Sequence, residues 1–478
     1  MGNRGSVTIF SCLIIIAMVL LGITSVKVVG HNLAQGKGAV AVKSAMSSVN
    51  AGYNSYIFEN YHILLFDKNC NGQGEAYLEE QLVRDIEYNL GQDFSVEELA
   101  ISDYELVLED GLQAFKDQME EYVGYALLEY GADSILESTG GQDGTVADVI
   151  YEDMDAASSA GLLEGEEGSY NESDTEESDD VAIPWLEEED PREYTENLSG
   201  DGILMLVMPE DMEISSQLVD TSSVPSAKAS IGSWLNYEVD NDFDDIDILK
   251  EDIDVFDSWK NSLLEGGSAV AYGAKVFNCA TEELQEDTVF ALELEYIICG
   301  KNSDRENLKG VVNRLIGVRL PVNYAYLVTD IKKMAEVKQI SVPIAFATFT
   351  PEPVVRYLIA GCWAYVESIF DVKYLLEGKR MEFFKSSNNW ITDINDLEKS
   401  VSPDDQENEK GLSYKDYLII LMAMNIENNC YRMLDVIELN TKQYYEYFDM
   451  DNAVVGFSVD ASISYDGRDF YYRESIGY

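Results

Sequence analysis

Val7 to Val26 reads VTIFSCLIIIAMVLLGITSV, twenty positions without a charge, bounded by Arg4 and Lys27. At about 1.5 Å of rise per helical residue the run spans roughly 30 Å, the thickness of a bilayer's hydrocarbon core. A cleaved signal peptide would have a shorter apolar stretch, about 7–15 residues, ending at a small-x-small site. Gly22-x-Thr24 fits such a site poorly, and β-branched and basic residues follow it. The pattern therefore predicts an uncleaved signal anchor.

Past the anchor, residues 28–58 keep a helical rhythm in which the recurring property is small size. Ala34, Gly38, Ala41, Ala45, Ser48 and Gly52 recur at spacings of four and three and share one stripe. Small side chains at that spacing let another element approach the helix closely. That element is either a neighbouring chain in an assembly or the helix's own globular domain. Tyr61 to Phe66, YHILLF, is a short apolar run that ends in the turn-rich DKNCNGQG. Asp67, Asn69, Asn71 and Gly72 there match the first, third, fifth and sixth positions of a calcium loop. The twelfth position is Leu78, with Glu79 one residue late, and an Asn-Gly turn explains the same residues. Asp67, Asn69 and Asn71 are thus the candidate metal ligands, calcium is the only candidate ion, and no other cofactor is indicated.

Residues 76–137 read as helices broken near Gly91 and Asp103. Leu82, Ile86 and Leu90 lie on one face, and Leu112, Phe115, Met119, Tyr122 and Tyr125 through Leu128 on another. From Gly141 to Gly200 the periodicity collapses into 20 acidic residues and one base, Arg192. Such a stretch has little to bury and is expected to be a disordered linker. The chain restarts at Gly202 with a short β-like run, ILMLVMPE, and the acid-rich 236–257 carries enough apolar residues to pack in part. Helical segments are predicted over 304–316, 323–337 and 353–376. Ile340 to Phe370 is apolar, but a second membrane span would bury Glu352, Arg356 and Glu367, and each charge at a helix centre costs about 2.5–3.5 kcal/mol. A core helix starting at Pro353 is the better solution. Ser413-x-x-Asp416 marks a capped helix start, and another helix is expected near Asn429 to Tyr445. Val454, Phe457, Val459, Ala461 and Ile463 alternate with small or polar residues, which together with 470–478 predicts a β-pair.

These elements give an α+β fold in which a transmembrane helix extends into a long helix, followed by a mostly helical body and a C-terminal β-pair. The predicted divisions are 1–60 (anchor and long helix), 61–140 (membrane-proximal helices), 141–200 (acidic linker) and 201–478 (distal α+β domain). Long domains translocate largely regardless of their charge, so the N-terminus is expected in the cytoplasm and the body outside, as a single-pass protein of the cell membrane.

Composition narrows the function. Eighty-nine acids against 32 bases give a net charge of −57, which repels phosphate backbones and anionic lipid surfaces from the body of the chain and excludes nucleic acid as a partner. Cys70, Cys279, Cys299, Cys362 and Cys430 are scattered and contain no C-x-x-C. They indicate neither a zinc site nor a dense disulfide framework. A Cys279 to Cys299 bridge is conceivable, but buried free thiols are the simpler expectation. His31 and His62 are the only histidines, which leaves the distal part without an imidazole for a catalytic triad. No Walker loop, dinucleotide fingerprint or H-E-x-x-H occurs. A non-enzymatic protein is expected.

RGSVTIF (4–10), YHILLFD (61–67), LELEYIICGKNSDRENLKGVVNRL (292–315), CWAYVESIFDVKYLLEGK (362–379), GLSYKDYL (411–418) and DNAVVGFSVDASISY (451–465) together carry a resemblance. The chain resembles clostridial-type membrane-anchored proteins of unknown function encoded beside tight-adherence (Tad) pilus loci. The membrane segment also looks like that of pilin-like proteins from such loci, in which an apolar N-terminal helix is both anchor and assembly element. Processed pilins of that kind usually carry a glutamate five residues after the leader cut; after Gly5 that position is Phe10. The resemblance implies a pseudopilin-like component or accessory of a surface pilus or secretion machine, with pilus-locus proteins or further copies of itself as partners. A tethered adhesion or ligand-binding module is the alternative. The resemblance supplies no catalytic residues.

Overall fold

The computed structural model describes residues 3–124, 201–209, 212–231, 267–283, 288–395 and 411–478. The acidic segment 141–200 and the stretch 236–257 lie outside them. In chain order the elements are α1 (Asn3–Asn50), α2 (Ser55–Tyr61), β1 (Phe66–Asp67), α3 (Glu75–Leu90), β2 (Phe94–Leu106), α4 (113–124), α5 (Asp201–Val207), α6 (Pro225–Lys228) and α7 (267–276). They continue with α8 (Glu293–Cys299), α9 (Asp304–Thr329), α10 (Ile331–Thr348), α11 (Glu352–Leu376), α12 (Tyr414–Ala423), α13 (Ile426–Lys442), β3 (Ala453–Tyr465) and β4 (Arg468–Gly477). The fold is α+β and mostly helical, as the hydrophobic pattern predicts.

The chain forms two compact units, one of residues 1–118 and 441–478, the other of residues 119–440. The closing strands accordingly belong with the N-terminal residues, whereas the sequence pattern placed them in a distal part beginning at 201.

In the first unit β3 is the central strand of a four-stranded antiparallel sheet. β2 covers one of its edges from Val454 to Tyr465, while β1 and β4 share the other, end to end. Strand side chains alternate between faces, so Phe457, Val459, Ala461 and Ile463 point to one side and are buried. Against that side pack Ala41, Val42, Ala45, Met46 and Val49 of α1 and Leu78, Leu82, Ile86 and Leu90 of α3. Ser458, Asp460 and Ser475 line the opposite, polar face, where the Ser458 and Ser475 hydroxyls lie 2.8 Å apart. α1 is half bare and half packed: Ile9 to Val29 is exposed, and burial begins at Ala34. Among the described residues α1 is the one helix long and apolar enough to cross a membrane.

Two local predictions change here. The 76–137 region, expected to be all helix, holds β2. α1 stops at Asn50 instead of running to 58, because Asn54 starts α2 by accepting the Ile57 N–H at 3.2 Å.

The second unit is organised on α11, whose residues Ile359 to Val372 are buried throughout; the apolar 340–370 stretch is thus divided between the end of α10 and this core helix and forms no second span. α9 and α10 lie against it. Side chains fix the helix starts: Ser303 Oγ accepts the Glu306 N–H, Asp330 Oδ1 accepts those of Lys332 and Lys333, and Ser413 with Asp416 closes a capping box. The two helices expected over 304–316 and 323–337 are redivided. α9 runs without interruption to Thr329 despite Pro321, and the break falls at Asp330. ILMLV, residues 203–207, is helical in α5, not a strand.

Candidate functional site

The candidate site residues named from the sequence lie among the described residues. Ala34, Gly38, Ala41 and Ala45 are buried within the first unit, while Ser48 and Gly52 are exposed. Gly38 lies directly under Tyr472 of β4. A Cβ at position 38 would collide with the Tyr472 hydroxyl and stand 2.6 Å from its Cζ. The small-residue stripe is therefore filled by the unit's own sheet and α3, and the close approach that glycine permits is made by an aromatic ring.

Asp67 ends β1. Its Oδ1 accepts the Asn69 N–H and its Oδ2 the Asn71 N–H, both at 2.8 Å. This is an Asx-type turn built by the carboxylate itself. Burial pushes the Asp67 pKa above the usual carboxylate value, while these two N–H groups oppose the shift. Asp67 and Asn71 border a cavity of about 280 Å3 with Tyr53, Cys70, Tyr445 and Phe448. Among the described residues no group of three His, Cys, Asp or Glu side chains is arranged to hold a metal ion.

The largest concentration of chemistry lies elsewhere, in the second unit, and the sequence reading did not assemble it. Arg319 of α9, Glu367 and Asp371 of α11 and Lys385 of the following loop have almost no exposed side-chain surface. Arg319 donates through Nε to Asp371 Oδ2 at 2.9 Å, through Nη1 to the Tyr417 hydroxyl at 3.0 Å and to the Phe383 carbonyl, and through Nη2 to Asn323. Lys385 Nζ reaches Glu367 Oε1 and Asp371 Oδ1, both at 2.6 Å, and the Asn389 carbonyl at 3.1 Å. Glu367 also accepts the Ile391 and Thr392 N–H groups at 2.8 Å and the Thr392 hydroxyl at 2.7 Å. Two cations and two anions thus neutralise one another, and α11 is fastened to the 383–392 loop. Burial by itself would raise the Asp371 pKa, but Arg319 and Lys385 hold it below the ordinary carboxylate range.

The sequence does contain a signal for this cluster. Glu367 and Asp371 are one turn apart and are the only charges between Arg356 and Lys373 of α11, and acids in such an apolar stretch need cations to meet them.

A second buried group is more acidic. Glu293 and Glu295 of α8 are drawn up to about 7 by burial, opposed by the Asn278 N–H and Asn440 for Glu293 and by the Ala280 N–H and Tyr414 for Glu295. Glu295 Oε1 accepts the Ala280 N–H and the Tyr414 hydroxyl, each at 2.9 Å, and its Oε2 has no hydrogen-bond partner. Cys279 and Cys299 are buried free thiols with no bridge between them. Burial pushes Cys279 up to about 12, which removes any thiolate reactivity near neutral pH.

The sequence pattern of a family of unknown function matches residues 185–465. The chain belongs to the DUF5702 family. No curated protein and no solved structure matches it. The DUF5702 match contains the whole Arg319, Glu367, Asp371 and Lys385 cluster, the Glu293 and Glu295 pair, and β3. It leaves out α1, α3 and β2, which pack on or pair with β3 in the first unit. The matched span thus takes in most of the ion-fastened unit and the strand at the centre of the other's sheet.

Proposed function

We propose that this DUF5702 protein is a non-enzymatic, single-pass membrane protein with a cytoplasmic N-terminus and an extracytoplasmic body, acting as a pseudopilin-like component or accessory of a Tad-type surface pilus or secretion assembly. The observation that carries this reading is the free side of α1. Val26, Val29, Leu33, Gly36 and Val40 follow one another at spacings of three and four, and the four apolar side chains are 66–73% exposed. Within the anchor apolar residues occupy nearly every position and none is charged, so the pattern says nothing there. Beyond Lys27 polar residues surround it, and a seven-residue apolar repeat sustained into water-facing helix is the form of a seam for another helix. This seam is distinct from the stripe buried under the sheet. The resemblance to proteins of Tad loci gives that helix an identity: another anchor helix of the same kind.

Cysteines at Leu33 and Val40, cross-linked in native membranes, test the proposal. Intermolecular adducts that disappear on Val29→Glu with Gly36→Leu support it. Adducts absent at both positions would remove the assembly role and leave the alternative, a surface adhesion or ligand-binding module that α1 merely tethers.

A further inference from the structure

In the second unit, exposed apolar surface gathers where α10 turns into α11. The sequence there, 342–354, is VPIAFATFTPEPV. Val342, Phe346, Phe349 and Val354 are 48, 79, 95 and 51% exposed. Phe349 ends α10 in the left-handed conformation, φ 56°. Glycine or asparagine suits that position by backbone preference, and either would suit water better. Phenylalanine is unfavourable there on both counts unless its ring has another environment to enter.

The charge around the tip is equally out of character. Residues 331–356 carry Lys332, Lys333, Lys338 and Arg356 against Glu336 and Glu352, a net +2 in a chain of −57, and 337–351 holds no acid. Glu352 is taken up by its own surroundings, with Arg356 Nε at 2.8 Å and the Ser341 hydroxyl at 2.6 Å.

We infer that this hairpin tip enters the headgroup and upper acyl region of a lipid bilayer, making a membrane contact separate from α1. Aromatic rings at a boundary with lysines behind them are the composition that membrane interfaces favour. Lys338 stands eight residues before Phe346, about 12 Å along the helix, so it lies at headgroup level when the rings lie just below. The local positive charge suits anionic lipid, which the rest of this acidic chain would repel. α1 keeps a bilayer within the chain's reach.

The test uses the full chain with Cys12→Ser and Cys70→Ser, reconstituted in phosphatidylcholine and phosphatidylglycerol vesicles and recovered by flotation. A fluorophore on Phe349→Cys should be quenched by spin-labelled lipid several times more than one on Leu218→Cys, which is 76% exposed in the same unit, and should be shielded from iodide. Phe346→Glu should abolish the lipid quenching at 349 while flotation through α1 persists. Iodide access at 349 equal to that at 218 would overturn the inference. So would shielding from both quenchers together with cross-linking at 349 to a second copy of the chain, since protein would then cover the tip.

Discussion

Arg473 and Arg319 each offer two N–H groups to an aspartate, yet the two pairs sit in opposite surroundings. Arg473 meets Asp460 on the polar face of the sheet at 2.6 and 2.7 Å, with 75% of the arginine side chain and 39% of the aspartate exposed. Arg319 meets Asp371 at 2.9 Å with nothing exposed on either side. Water already solvates the first pair, so the contact adds little. The second was taken out of water at high cost, and removing either partner strands a charge in the core. The first unit is thus held by apolar alternation and carries its ions as decoration, whereas the second has ions at its centre.

Trp363 and Trp390 pack edge to face in the second unit, 5.4 Å between ring centroids, so in a chain carrying Trp185→Phe, Trp234→Phe and Trp259→Phe tryptophan fluorescence follows that unit, and amide exchange in β3 follows the first. Arg319→Met should destabilise the second unit by about 3–5 kcal/mol, the usual result of breaking a buried pair, and leave exchange in β3 unchanged. A loss below about 1 kcal/mol would show that the cluster is wetter than its geometry indicates.

The second unit should also weaken as pH rises. Glu293 and Glu295 titrate near 7 when folded, against 4.5 for an ordinary glutamate. Between those values the folded state holds protons that the unfolded chain has released. Stability is therefore fullest below about 4.5 and is lost progressively as pH rises to about 7, by about 3 kcal/mol for each glutamate and roughly 7 for the two together. Asp371 acts in the opposite sense, but its folded value lies below the ordinary one, so its loss comes at more acidic pH. Glu293→Gln with Glu295→Gln should flatten the tryptophan-detected profile between pH 5 and 8; an unchanged profile would assign the dependence to other groups.

Gly38→Leu is the converse, a change the first unit should feel and the second should not. Crowding Tyr472 should lower the protection of β3 by about 1–3 kcal/mol, while tryptophan unfolding stays where it was. Arg473→Ala is expected to do least of all: no measurable shift in either probe. A clear loss would mean that the sheet's outer face is covered in the working protein.

The two units also differed in how far their sequences could be read. β3 was legible because its alternation is unbroken from Phe457 to Ile463. β2 was not, because its inward residues Phe94, Val96, Leu99, Ile101 and Tyr104 are spaced two, three, two and three apart. Register shifts between Val96 and Glu98 and between Ile101 and Asp103 insert the extra residues, and bulges of that kind turn a period of two into something close to helical. α11 was placed to within a residue by Pro353, and the start of α12 by its capping box. The buried cluster escaped because Arg319 and Lys385 lie 52 and 14 residues from Asp371, and only the fold joins them. The stripe from Ala34 to Ala45 was recognisable as a packing surface, but small size cannot name the neighbour, and Tyr472 lies at the far end of the chain.

The same strand order sets a timetable. β3 is the central strand between β2 on one edge and β1 with β4 on the other, yet it is made after everything that pairs with it except β4. While a ribosome works through 119–440, the residues from Phe66 to Leu106 have no central strand to join and wait as open edges. The later unit has its complete set of residues first and can close first. The sheet of the first unit is thus the last piece to form, and a chain that stops short of Ala453 would carry a finished ionic core while β1 and β2 still lacked the central strand they pair with.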